Sequence, residues 1–223
     1  MIEEILQTFL TGLTVGPVQS YQQLAVFPLL AAQEAKEDFL LLDEALELGL
    51  VRITEIDEGG TVPLLRVSNR AQQQVLLLDG EELVGAKQNR ALNTTILLAP
   101  ESETAIPVSC VEAGRWFYTS REFRSSGRTL NLNLRQKKAA AVQRSLRASG
   151  RFAADQEEIW DEIAAKLARL AAESPTRAFT ALYEATQPTL EDYRRHFQPV
   201  PQQLGVAACL GGQLAGVEVL TKY

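Results

Sequence analysis

Cysteine, histidine and methionine are scarce in this 223-residue chain: Cys110 and Cys209 are the two cysteines, His196 the one histidine, and a single methionine opens the sequence. Two cysteines so far apart, with no CxxC spacing, make neither a zinc site nor a thioredoxin-like pair, so free thiols are expected. One histidine removes most histidine-based metal sites and leaves any Ser-His or Cys-His nucleophile dependent on His196 alone. No run approaches the ~18 uninterrupted apolar residues of a membrane span. The N-terminus MIEEILQTFLTGL starts acidic and lacks the cationic region of a secretory signal. A cytoplasmic protein with no membrane association is expected. With 46% hydrophobic and 22% charged residues, the composition excludes disordered, collagen-like and disulfide-scaffold classes. At roughly 150 residues per domain, the length predicts a single domain over 1–223.

Strand signals dominate residues 1–133. Leu24 to Leu30 is β-prone but carries Pro28, which predicts an edge or strand-end position. Asp43 to Leu48 reads as a short helix closed by Gly49, and Val51 to Ile56 as a strand ending in the turn Asp57-Glu58-Gly59-Gly60. Leu64 to Val67, Val75 to Leu78, Ile96 to Leu98 and Ile106 to Val111 supply further strands of a mixed or mostly antiparallel sheet. A helical segment follows over about 134–197. Asp155 with Glu158 predicts a capped helix start, and Ile159, Ile163, Leu167 and Leu170 form its apolar stripe up to Ser174-Pro175. A second helix is expected from Pro175, burying Phe179 and Leu182, and a third, short one from Thr189 through His196. Gly211-Gly212 centres a β-hairpin over 204–220 that should pair back into the first sheet. The class is α+β.

Polar residues concentrate in two β segments. In the first, DGEELVGAKQNRALN (79–93), an extended chain would put Lys87, Asn89 and Asn93 on one face with Gly85 and Ala91, and Gln88 and Arg90 on the other. Small residues between long polar ones leave room for a ligand; the bland alternative is a strand whose polar face meets water. The second, IPVSCVEAGRW (106–116), would align Ile106, Val108, Cys110 and Glu112, with Gly114 freeing the backbone before Arg115 and Trp116. Glu112 is then either a ligand-holding or catalytic carboxylate or an ion-pair partner for Arg115 or Arg90. Cys110 has no sequence neighbour that would activate it and reads as a buried small hydrophobe. Asp79, Glu81, Glu82 and Glu112 could serve acid/base chemistry or hold a hard ion such as Mg²⁺, but no metal-site spacing supports a cofactor.

Charge is unevenly distributed. Between Ala113 and Arg151 ten basic residues face the single acid Glu122, a local +9 that leaves −15 elsewhere and is hidden by the overall −6. Ser125-Ser126-Gly127 reads as a loop leading into a helix with Lys137, Arg144, Arg147 and Arg151 on one side and Val142 and Leu146 on the other. Such a segment suits phosphates on a nucleotide or on RNA. Equally, it would serve as a solvated basic face neutralised by the acidic helix that starts at Asp155.

DGEELVGAKQNRALN followed by IPVSCVEAGRW resembles the signature of the ARG and rhodanese-phosphatase-superfamily-associated protein domain, a bacterial family whose members are largely uncharacterised. The likeness extends to LDEALELG and the terminal hairpin. Family members usually continue past the hairpin into another helix, where this sequence ends at Tyr223, as a short member or a piece of a longer chain would. The resemblance implies functional partners among ADP-ribosylglycohydrolases and phosphatase- or rhodanese-like enzymes, and a role around NAD-derived or ADP-ribose-like phosphorylated sugars. By motif position it points to Glu81, Lys87, Gln88, Asn89, Arg90, Asn93, Glu112, Arg115 and Trp116. The leading expectation is a sheet-borne pocket that either binds or both binds and processes a phosphorylated ribose or nucleotide derivative. In it Glu81 and Glu112 are the catalytic candidates, Lys87, Arg90 and Arg115 the phosphate partners, and Asn89 and Asn93 the orienting amides, with Gln88 and Trp116 beside them. Two other readings stand: a nucleic-acid-binding module using 115–151, and a non-enzymatic protein-interaction domain.

Overall fold

The computed structural model describes residues 2–31, 39–57, 59 and 62–220. Along the chain run α1 (Ile2–Thr11), β1 (Thr14–Val15), β2 (Gln19–Tyr21), β3 (Leu24–Leu30), β4 (Phe39–Leu41), α2 (Leu42–Glu47), β5 (Val51–Glu55), β6 (Leu64–Asn69), β7 (Gln74–Leu77), β8 (Glu81–Gly85), β9 (Arg90–Leu92) and β10 (Ile96–Leu98). Then come β11 (Ser102–Cys110), β12 (Glu122–Thr129), α3 (Leu132–Ser149), α4 (Gln156–Arg169), α5 (Thr180–Arg195), β13 (Gln203–Leu210) and β14 (Gln213–Val219). The class is α+β, as its strand and helix signals imply. Where the sequence draws one domain over 1–223, the contacts group into two compact units: Met1–Glu37 with Thr186–Tyr223, and Asp38–Ala185.

The larger unit is built on a closed barrel in the order β11-β6-β5-β12-β8-β9, with a small sheet β10-β7-β4 in which β4 and β7 are parallel. Alternation along each strand fills the barrel. Ile53 and Val67 face one another across β5 and β6, and Leu65 meets Ile106 across β6 and β11. These residues join Leu83, Leu92, Val108, Phe123 and the α2 residues Leu42 and Ala45 in one core. A second core lies outside the barrel, where Ala91 and Val111 meet Leu134 of α3, Ile159, Ile163 and Leu167 of α4, and Phe179 and Leu182. Each large apolar side chain so buried contributes about 1.5–3 kcal/mol. The α4 stripe and its cap are as expected, since Asp155 Oδ1 accepts from the Glu158 amide at 3.2 Å.

The smaller unit is a sheet in the order β1-β3-β13-β14, with β2 also on β3. The terminal hairpin does pair with an N-terminal strand, Ala207 opposite Phe27. Its partner β3 is flanked on both sides, which corrects the edge assignment. Pro28 is tolerated because it lies at the break between β1 and β2, where its carbonyl accepts from the Gly16 amide at 2.8 Å and no ladder donor is demanded.

Several other expectations are corrected. No helix begins at Pro175: residues 175–178 turn and bridge to Glu112, and α5 starts at Thr180. The expected third helix is the continuation of α5, which carries Pro188 in its interior. Ser125-Ser126-Gly127 is strand, inside β12, rather than loop. Arg151 lies beyond the left-handed Gly150 that caps α3 and so is not on that helix. In the turn Asp57-Glu58-Gly59-Gly60, Glu58 and Gly60 lie outside the described residues. Among the described residues, no helix is long and apolar enough to cross a membrane.

Candidate functional site

The segment 85–93 is a hairpin, which corrects its reading as one extended strand. β8 ends at Gly85, the chain turns through 86–89 with Ala86 at positive φ, and β9 begins at Arg90. Only glycine fits at 85, because its φ is +127° and a Cβ there would stand 2.5 Å from Ser120 Oγ. The turn separates the side chains that simple alternation would group.

Asn89, Glu112 and Arg115 are brought together. Glu112 follows the end of β11, so it departs from the inner face that Ile106, Val108 and Cys110 share, and its carboxylate accepts from the Asn89 amide at 3.1 Å. Arg115 Nη2 lies 2.7 Å from Glu112 Oε2, and its Nε donates to the same oxygen at 2.9 Å. Its remaining donors reach Asn89 Oδ1 at 2.8 Å, the Ala86 carbonyl at 2.7 Å and Thr119 Oγ1 at 3.2 Å. Gln88 Nε2 donates to the Glu112 carbonyl. Burial pushes the Glu112 carboxyl up, but Arg115, Thr176 and the Asn89 amide outweigh it and hold the group below its ordinary value. Gly114 lets the 174–178 segment close on this cluster: its amide donates to the Thr176 carbonyl at 2.8 Å, and a Cβ would meet Thr176 Cα at 2.9 Å.

This cluster forms part of the wall of a polar cleft of about 1030 Å³. β12 supplies Arg124, Ser125, Ser126 and Arg128, while Ser174, Thr176, Thr180 and Glu184 come from the approach to α5 and its first turns. Arg128 Nη1 donates to the Thr180 carbonyl at 3.1 Å, and its guanidinium sits 5.2 Å from the Tyr183 ring centre. Arg124 is exposed on the wall.

The other motif residues lie elsewhere. Arg90 is fully buried on the inner face opposite Leu83 and Cys110, where Nη1 donates to Gln88 Oε1 at 2.7 Å and Nη2 is 3.7 Å from Glu55. Lys87 Nζ donates to the Gly59 carbonyl at 2.9 Å and lies 5.5 Å from the centre of the half-exposed Trp116 ring. Asn93 is tied to the Phe152 carbonyl at 2.9 Å and to Ser109 Oγ at 2.7 Å. Glu81 accepts from the Leu78 amide at 2.8 Å, and burial together with Asp43 raises its pKa to about 7.

One carboxyl with a clearer relation to the cleft is the neighbouring Glu82. It is fully buried and accepts from Ser126 Oγ, a cleft residue, at 2.9 Å. Burial raises its pKa to about 7 against the pull of Ser126 and Arg128. Adjacent strand residues point to opposite faces, so the pair Glu81-Glu82 was visible in sequence but not which of them meets the cleft residue Ser126. Among the described residues no cluster of three or more histidine, cysteine or acidic side chains is arranged to hold a metal. His196, in the other unit, stacks on Tyr21 with ring centres 3.6 Å apart, while Tyr21 Oη donates to Asp192 at 2.6 Å.

A family model, the ARG and Rhodanese-Phosphatase-superfamily-associated Protein domain, matches residues 12–222. The chain belongs to this family. The match spans both compact units and includes the whole Glu112–Arg115 cluster and the β12 wall. No curated protein and no solved structure matches the chain.

Proposed function

We propose that the cleft beside Glu112 and Arg115 binds a phosphorylated ribose or nucleotide derivative related to NAD or ADP-ribose. The observation that carries this reading is the company of groups lining one cleft. Guanidinium groups of Arg124 and Arg128 suit phosphate oxygens, and the hydroxyls of Ser125, Ser174 and Thr176 with the Glu184 carboxyl suit sugar hydroxyls. Arg115 spends its donors on Glu112, Asn89 and backbone carbonyls, so its part is to hold the wall rather than to meet phosphate. The volume is at the upper limit of small-ligand sites. The family description, naming ARG and rhodanese-phosphatase associates, is in keeping with partners that act on the same class of phosphorylated sugar.

Against a nucleic-acid reading of 115–151 stands the pairing of four of its ten cations with acids of the fold. Arg115 is held by Glu112, Arg135 and Lys138 by Asp79, and Lys137 by Glu162 at 2.6 Å. Thermal unfolding with millimolar ADP-ribose, NAD or ribose 5-phosphate tests the proposal. A rise in Tm with the phosphorylated ligands, absent with adenosine, is expected; no shift with any of them contradicts it.

A further inference from the structure

Glu82 is unusual among the carboxyls of this chain. It faces Ala91 across β8 and β9, on the outer side of the barrel, and is fully buried. Oε2 accepts from Ser126 Oγ, whereas Oε1 has no hydrogen-bond partner among the described residues. An unsatisfied buried oxygen is costly to the fold, and more so if it is charged. Such an atom calls for a reason.

The reason is written into the β8–β12 register. Ser125 pairs with Leu83 and Thr129 with Glu81, so Ser126, Gly127 and Arg128 all stand opposite Glu82 alone. Bulges of this kind re-aim side chains and recur beside functional sites. Here the bulge turns Ser126 toward Glu82 while leaving Ser126 on the cleft wall. The charged and titratable groups facing Glu82 are Arg128 on β12, Tyr183 and Glu184 on α5, and Glu112 after β11. Burial, above all, and then the Glu112 and Glu184 carboxyls raise the cost of ionising it; the Ser126 hydroxyl and the Arg128 guanidinium oppose them. Glu112, by contrast, is held ionised by its partners. Two carboxyls driven apart in proton affinity within one site are the arrangement of acid-assisted bond cleavage.

We propose that Glu82 is the proton source for breaking an O-ribosyl bond in this cleft, delivering its proton through the hydroxyl of Ser126. The inference rests on the phosphoribosyl-binding reading above and adds hydrolysis to it. The protonated Glu82 carboxyl donates to Ser126 Oγ as the Ser126 hydroxyl proton passes to the departing oxygen. The bond from the anomeric carbon to that oxygen breaks with its electron pair on the oxygen, releasing a neutral alcohol. Water supplies hydroxide to the anomeric carbon, and the proton it leaves behind restores Glu82. An alkoxide is a poor leaving group, so this donor matters most for alkyl ribosides.

The test uses methyl and 4-nitrophenyl 5-phosphoribofuranosides with the full chain, its Glu82→Gln and Ser126→Ala variants, and calorimetric binding of each probe. The 4-nitrophenolate departs without a proton. Both variants should therefore lose about 10²–10⁴-fold on the methyl riboside while staying within several-fold on the 4-nitrophenyl one. The wild-type rate on the methyl riboside should fall as pH rises through about 7, a limb absent from Glu82→Gln. Should Glu82→Gln fail to fold, the same split in Ser126→Ala carries the test. Equal losses on both probes, or binding without hydrolysis by the wild type, overturn the proton-source role and leave the binding reading intact. Absence of binding by either probe overturns both.

Discussion

Arg115 Nη2 stands 2.7 Å from Glu112 Oε2 with both side chains almost wholly withdrawn from solvent. This pair fastens two stretches that are distant in sequence, because Arg115 holds the 85–89 turn through Ala86 and Asn89 while it also ties down its own following loop through Thr119. Removing one partner leaves a buried charge uncompensated. Arg115→Ala is expected to destabilise the chain by about 3–5 kcal/mol in urea unfolding. The double variant Arg115→Ala with Glu112→Gln should recover part of that loss; additive losses would show the two residues to be uncoupled.

Glu82 predicts a pH dependence of opposite sense to an ordinary ion pair. Its folded pKa, about 7, lies above the ordinary value of 4.5, so the folded state binds the proton more tightly than the unfolded one. The stability it contributes is complete below about pH 4.5 and is lost as pH rises through about 7. Glu81, similarly raised, acts in the same window. Glu82→Gln should therefore unfold at higher urea than the wild type at pH 8, by about 1–3 kcal/mol, and flatten the profile between pH 5 and pH 8. An unchanged profile would mean that Glu82 is ionised in the fold.

Cys110 is buried on the inner face of the barrel, and burial pushes its thiol up despite the nearby Arg90. A thiol so placed is protonated and shielded. Maleimide should label Cys209 in the native protein and reach Cys110 only on unfolding, as read by peptide mass spectrometry. Rapid native labelling of Cys110 would contradict the barrel register.

Much of this architecture was legible in the sequence. Period-two alternation marks β5, β6 and β11, and the Asp155 cap with its Ile159, Ile163 and Leu167 stripe marks α4. Hidden were the features that depend on partners far along the chain. Pro28 reads as an edge signal because nothing local reveals that β1 and β2 leave a gap opposite it. Ser125-Ser126-Gly127 has loop composition, yet it is the β12 bulge, held in place by β8. The site was legible in part. Asn89, Glu112 and Arg115 converge as the motifs suggest, whereas Lys87, Arg90 and Asn93 are dispersed by the 85–89 turn. Glu82 was indistinguishable from Glu81 until the register fixed its face.

The cleft predicts which basic residues matter. Arg124→Ala and Arg128→Ala should each weaken ADP-ribose binding about tenfold or more, since hydrogen bonds to charged groups are worth roughly 1.5–3 kcal/mol. Arg144→Ala with Arg147→Ala, exposed on α3, should leave calorimetric affinity unchanged. Equal losses in the two sets would shift the ligand to the helical face.

Binding at this cleft is tested most directly by amide chemical-shift mapping of the full chain titrated with ADP-ribose. Perturbations are predicted to cluster at 112–115, 124–128 and 174–181, and to saturate together. No perturbation, or one confined to 135–151, would contradict the assignment of this cleft as a phosphoribosyl site.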